Sequence, residues 1–271
     1  MAGSIERIAR DMTALEEATR AIATALHTAY AGYLDALGQA IRQQLALASY
    51  HLCTQGYPKE FLQLSFSQRQ QLQQSLREIA ANAKARLLAQ IESPTSSSAA
   101  AYAELNEEIT EEEVVKETID PENPQPEELV EWVEKMETAV ATILQSVSRD
   151  SNRRLQQAEI LPKKLPEPVL EAAAKVEASA ETVPGPPNLL NLVIESEDND
   201  DLQSSSVTHI YAIHLRLSEV ELASPSVMAY RHQIRHLVAQ LRGIEREYQN
   251  KQRDRAVAEA ELAWRASWFE D

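Results

Sequence analysis

The chain has 271 residues, with 26 Lys and Arg against 42 Asp and Glu, a net charge of −16, only 6 glycines and one cysteine. So acidic a balance argues against general nucleic-acid binding. So few glycines argue against sandwiches, barrels and doubly wound sheets with phosphate-cradling loops, and a lone Cys53 excludes an internal disulfide framework and fits a reducing compartment.

The charge is unevenly placed. Residues 92–206 hold 8 Lys and Arg, 26 Asp and Glu and 10 of the 12 prolines, whereas residues 1–91 carry +2 and residues 207–271 carry 0. The expected class is all-α: an elongated helical bundle or coiled coil with long helices and an acidic, Pro-rich, partly disordered middle. Three segments follow: a long-helix hairpin over 1–91, the acidic middle over 92–206, and a helical segment over 207–271.

The first residues, Met1 to Arg7, contain no apolar signal core, so a cytoplasmic protein is expected. Ser4 to about Thr54 reads as one helix. Ile5, Met12, Leu26 and Tyr33 share one heptad position, and Ile8, Leu15, Ile22 and Ala29 share the other. The phase drifts through Leu37, Ile41 and Leu45 as a stutter would make it. Gly32, Ala36 and Ala40 form a small-residue stripe that would let another helix approach. Ala21–Ile41 comes nearest to a membrane span, but it contains His27, Asp35 and Gln39, and a central Asp is costly there.

Gln55-Gly56-Tyr57-Pro58 stops this helix. A short helix is expected over Glu60–Leu64. Ser65 with Gln68 then has capping-box spacing, ahead of a helix with Leu72, Leu76, Ile79, Ala83, Leu87 and Ile91 on one stripe. Ser93–Ala101 reads as linker and Glu104–Asp120 as a solvated acidic run. Pro126, followed by Glu127 and Glu128, opens a helix that runs to about Ala158. Glu167–Ala180 reads as a short helix, and Pro184-Gly185-Pro186-Pro187 as a turn.

Asn188–Glu195 is ambiguous between helix and strand. Val207–Leu222 alternates as a strand through Tyr211, Ile213, Leu215 and Leu217. It fits a helix equally well through Ile210, Ile213, Leu217 and Val220. Helix is the expectation, for want of a partner strand. Ser224-Pro225 then opens a helix to about Trp268. Val227, Ile234, Leu241 and Tyr248 hold one of its heptad positions, and Tyr230, Leu237 and Ile244 the other. Beyond Tyr248 the core positions turn charged at Lys251 and Arg255.

The stretch Arg42–Arg77 (RQQLALASYHLCTQGYPKEFLQLSFSQRQQLQQSLR) and the stretch Ile213–Asp271, ending AVAEAELAWRASWFED, resemble a conserved cyanobacterial family of helical proteins with no established activity. The resemblance implies a cyanobacterial source and carries no functional residues.

Chemistry-bearing motifs are sparse. His232 and His236 have a zinc-compatible spacing. They lack the Glu of an HExxH and have no completing cluster nearby. Cys53 and His51 point about 200° apart on a helix, so they form no dyad. No catalytic residue, cofactor, metal or small-molecule ligand is expected.

The candidate docking residues lie on the last helix. Arg231, Arg235, Arg242, Arg246 and Arg253 fall within about 60° of one another at 100° per residue. Trp264, Trp268 and Phe269 gather at the terminus. The function expected is a non-enzymatic scaffold or adaptor that self-associates as a homo-oligomer and docks a protein partner. Nucleic acid is disfavoured. The alternatives are a peripheral membrane organiser and, more remotely, a metal-dependent enzyme built on the histidines.

Overall fold

A computed structural model describes residues 2–92, 124–162, 186–197 and 205–268. Among them the chain is all-α in class, with one two-stranded sheet. The order is α1 (Ala2–His51), a π-helical turn (Leu52–Gly56), α2 (Pro58–Gln63), α3 (Phe66–Glu92), α4 (Pro126–Gln157), β1 (Leu189–Glu197), β2 (Ser205–Ile213), α5 (Leu217–Leu222) and α6 (Pro225–Ser267). The expected linker at 93–101, acidic run at 104–120, short helix at 167–180 and residue Phe269 lie outside the described residues.

Local signals set the boundaries. The π turn closes when the Tyr57 amide donates to the Leu52 carbonyl at 2.8 Å. Pro58 then starts α2 at a position whose missing N–H costs nothing. The capping box before α3 is formed in both directions. The Ser65 amide donates to Gln68 Oε1 at 2.8 Å, and the Gln68 amide donates to Ser65 Oγ at 3.3 Å. At α4 the Gln125 amide donates to Glu128 Oε2 at 3.1 Å, just ahead of Pro126.

The described residues pack as two compact units. The first takes residues from Met1–Tyr33, Ala89–Thr138 and Ala229–Asp271. Here α1 and α4 run parallel and α6 runs antiparallel to both. Arg231 meets Tyr33 and Glu137, Tyr248 meets Glu16, Lys251 meets Asp11, and Gln249 meets Glu127. Ile8, Met12 and Tyr248 form one buried cluster of this unit.

Gly32 lets α6 approach α1. A Cβ added there would sit 2.5 Å from Cζ and 2.8 Å from the hydroxyl of Tyr230. The small-residue stripe is thus used at Gly32 to seat an aromatic ring. The Lys251–Asp11 pair, at 2.7 Å, holds Asp11 below and Lys251 above their ordinary values, chiefly through their hydrogen bond.

The second unit takes residues from Leu34–Leu88 and Ala139–Met228. Here α3 returns antiparallel to α1, pinned by Lys84–Asp35 at 2.7 Å. Leu72, Leu76, Ala80, Ala83 and Leu87 of α3 are buried. Arg86 donates to Ser146 Oγ at 2.9 Å, joining α3 to α4.

The helix expected over 207–222 is corrected here. Residues 205–213 form β2, paired antiparallel with β1 from Leu189↔Ile213 to Glu197↔Ser205, and only 217–222 is helical. The partner strand is the apolar segment Leu189–Glu197, left ambiguous between helix and strand by its sequence.

What makes β2 tenable is that helical side chains satisfy its outer edge. The Tyr57 hydroxyl accepts from the Tyr211 amide at 3.0 Å and donates to the Tyr211 carbonyl at 3.2 Å. Asn152, buried on α4, accepts from the Ile213 amide and donates to the Ile213 carbonyl, both at 2.8 Å. Ser148 Oγ accepts from the Leu215 amide at 2.9 Å. These groups stand where a third strand would be and satisfy the edge at residues 211 and 213.

At the start of the hairpin Asn188 adopts φ 60°, a left-handed conformation that Asn tolerates. Its side chain donates to Gln44 at 3.0 Å and accepts from the Arg216 amide at 3.1 Å.

Three substitutions check this packing. Asn152→Ala leaves two buried backbone groups without partners, so it should cost about 2–4 kcal/mol of unfolding free energy in urea titration. Gly32→Ala should destabilise by about 1–2 kcal/mol, because overlap with Tyr230 outweighs the helix-propensity gain. Gly243→Ala, where an added Cβ meets nothing within 4 Å, should instead gain about 0.5–1 kcal/mol.

Candidate docking surface on the last helix

The arginines and tryptophans singled out on α6 separate by their angle around it. At 100° per residue the row Val227, Ile234, Leu241 and Tyr248 defines the inward direction, and all four are buried. Arg231 lies roughly 70° from the middle of this row, at the margin of the buried face. Arg235, Arg242, Arg246 and Arg253 lie roughly 90–130° away and are exposed.

Arg231 therefore belongs to the interior rather than to an exposed ridge. Its guanidinium donates to Glu137 Oε1 at 2.6 Å and to the Tyr33 hydroxyl, and lies 4.5 Å from the Tyr33 ring centroid. Tyr30 donates its hydroxyl to the same Glu137 oxygen at 2.7 Å and meets Trp132 edge-on, with ring centroids 5.2 Å apart. Burial, reinforced by the Glu137 carboxylate, pushes the Tyr30 phenol far above its ordinary range. The node is an internal cross-link of α1, α4 and α6. It joins a cation, an anion and two phenols, each of which would be costly to bury alone.

Arg235, Arg242, Arg246 and Arg253 make no ion pair with any described residue. Arg246 Nε donates to the Arg242 carbonyl at 3.0 Å. The four give α6 a basic outer face through its central turns.

The outer face changes character further on. Val257, Trp264 and Trp268 lie roughly 160–200° from the Tyr248 direction, on the side away from the bundle. They are 52%, 65% and 65% exposed. The two indoles tilt against each other with centroids 5.5 Å apart. Every residue from Glu259 to Trp268 is exposed. The charges of this stretch are internally compensated, Arg255 by Glu259 at 2.7 Å and Arg265 by Glu261 at 3.8 Å.

The histidines do not assemble. His232 and His236 are exposed on α6, and the His236 ring lies 3.2 Å from Gln240 Nε2. No group of three or more His, Cys, Asp or Glu among the described residues is placed to hold a metal ion. Cys53 is buried in the π turn, and burial pushes its thiol up to about 11. No helix among the described residues is long and apolar enough to cross a membrane.

Comparison with family models, with curated proteins and with solved structures found no match to this chain.

The division of the arginine row is testable by stability. Arg231→Ala removes the cation paired with Glu137 and the donor to the Tyr33 hydroxyl, and should cost about 1–3 kcal/mol in urea unfolding. Arg235→Ala, on the exposed row, should stay within about 0.5 kcal/mol of the parent.

Proposed function

We propose that the protein is a cytoplasmic helical scaffold that self-associates through the outer face of α6 near Val257, Trp264 and Trp268. The observation that carries this reading is angular. These residues point away from the buried row of their own helix and are exposed among the described residues.

The chemistry of the stretch favours a second copy. Its charges come as balanced pairs, and an antiparallel copy centred near residues 262–263 would set Glu261 against Arg265 of its mate and Trp264 against the small side chain of Ala260. A parallel copy would bring the two rows of unpaired arginines into register and repel. The antiparallel arrangement carries them to opposite ends.

The stripe from Val257 to Trp268 is about 16 Å long. A contact of that length buries less than the roughly 800 Å² per partner of a standard stable interface. Association should therefore be reversible and concentration-dependent, driven by the tryptophans as central anchors.

Light scattering coupled to size exclusion, over a range of loading concentrations, tests this. The parent protein should shift toward twice the monomer mass as concentration rises. The double variant Trp264→Ala/Trp268→Ala should remain monomeric with unchanged circular dichroism. A parent that stays monomeric throughout and instead sediments with anionic vesicles would move this surface to the membrane-organiser reading.

A further inference from the structure

The second unit contains a cavity of about 490 Å³ between α1, the π turn, α2 and α3. That lies within the range of about 300–1,000 Å³ usual for small-molecule sites. Its long walls are apolar, from Leu45 on α1 and from Leu72 and Leu76 on α3. Cys53 and Phe61 line the end away from Arg42 and Arg77. Phe61 is fixed there by Arg69, which donates to the Phe61 and Leu62 carbonyls at 3.2 and 2.8 Å.

The other end is cationic. The Lys84–Asp35 pair and the seating of Gly38 against Lys84 set the antiparallel register of α1 and α3. That register brings Arg42 and Arg77 to nearly the same level. Both line the cavity and are exposed at its rim. Neither guanidinium pairs with a carboxylate of the described residues. From Arg42 to Cys53 is three turns of helix, about 16 Å. An extended saturated chain of roughly a dozen carbons has that length.

A mainly apolar groove of this length, carrying at one end two guanidiniums that pair with no carboxylate of the described residues, has the polarity of a single-chain amphiphile with an anionic head. We propose that the cavity binds a free fatty acid, with its carboxylate on Arg42 and Arg77 and its alkyl chain running toward Cys53 and Phe61. Arginine suits the head because its planar fork gives a carboxylate charge-assisted hydrogen bonds from two sides. The tail gains from each methylene removed from water. The site draws on residues of three helices and a π turn, so no single stretch of sequence announces it. It is independent of the α6 surface, and the Trp264→Ala/Trp268→Ala variant should retain it.

The probe is dodecanoate below its micelle concentration, added to the full chain and followed by isothermal titration calorimetry. One-to-one binding in the micromolar range is expected. Arg42→Ala/Arg77→Ala, two rim substitutions that leave the buried walls intact, should weaken binding about tenfold or more with unchanged circular dichroism. Dodecanol should bind more weakly than dodecanoate to the parent and equally to parent and variant. Cys53 gives a second readout. It is the chain's one thiol, and dodecanoate should slow its reaction with an aromatic disulfide reagent. Absence of binding would overturn the proposal. So would binding that the double variant leaves unchanged, or dodecanol binding as tightly as dodecanoate.

Discussion

Burial of a broad apolar arc on α1 constrains everything packed around it. From Ile22 to Leu52 the buried residues occupy roughly 160° of the helix circumference at 100° per residue. They include Leu26, Tyr30, Tyr33, Leu34, Leu37, Ile41 and Leu45, each with essentially no exposure. A two-helix seam needs only a narrow stripe. An arc this wide must be covered from more than one side. Each such side chain contributes about 1.5–3 kcal/mol relative to exposure, so the neighbours of α1 are selected by how much of the arc they cover. In the first unit α4 and α6 do this. In the second unit α3 packs along α1, and Asn188 at the start of the hairpin reaches Gln44.

Where α1 carries polar atoms into the arc, they are met by polar atoms from the covering helices. The hydroxyls of Tyr30 and Tyr33 reach the Glu137–Arg231 pair. The pair adds directionality that apolar packing lacks. Sliding α4 or α6 by one turn would separate the pair and break the bond of one phenol to it. The β2 edge follows the same rule. Its amides and carbonyls at 211 and 213 would be an open ladder without Tyr57 and Asn152, and both lie far from it in sequence.

Much of the helical framework was legible because its signals are local. The stop at Gly56–Pro58, the Ser65/Gln68 box and the Pro126 start are read within four residues of each boundary, and each is formed. The apolar periodicity of α1 and α6 identified the buried rows. The hairpin was not legible, because Tyr211, Ile213 and Leu215 satisfy a period of two while Ile210, Ile213 and Leu217 satisfy a helical one. Only the pairing with Leu189–Glu197 and the side chains of Tyr57 and Asn152 decide between them. Arg231 was misplaced among the surface arginines for a related reason. Its angle sits at the margin of the buried face, and the partners that draw it inward, Tyr33 and Glu137, are 198 and 94 residues away. The angular grouping of Trp264 and Trp268 was readable from their spacing, whereas their exposure required the bundle.

The terminal turns of α6 raise the question of why an uncovered stretch remains helical. Isolated helices of this length are marginal in water. The sequence Ala256 to Ser267 compensates with alanines at five of its twelve positions, the residue with the highest helix propensity. Two i,i+4 ion pairs add a few tenths of a kcal/mol each. Continuity with the packed part of α6, ending near Ala258, removes the cost of nucleation. The tryptophans are thereby held in register without any partner present. A docking surface that is ordered before contact loses little entropy on binding, so even a short stripe retains most of what two indoles gain by leaving water. Under the proposed self-association, charge compensation within the helix serves the same end. Ion pairs closed inside one copy leave no net charge to oppose the approach of another.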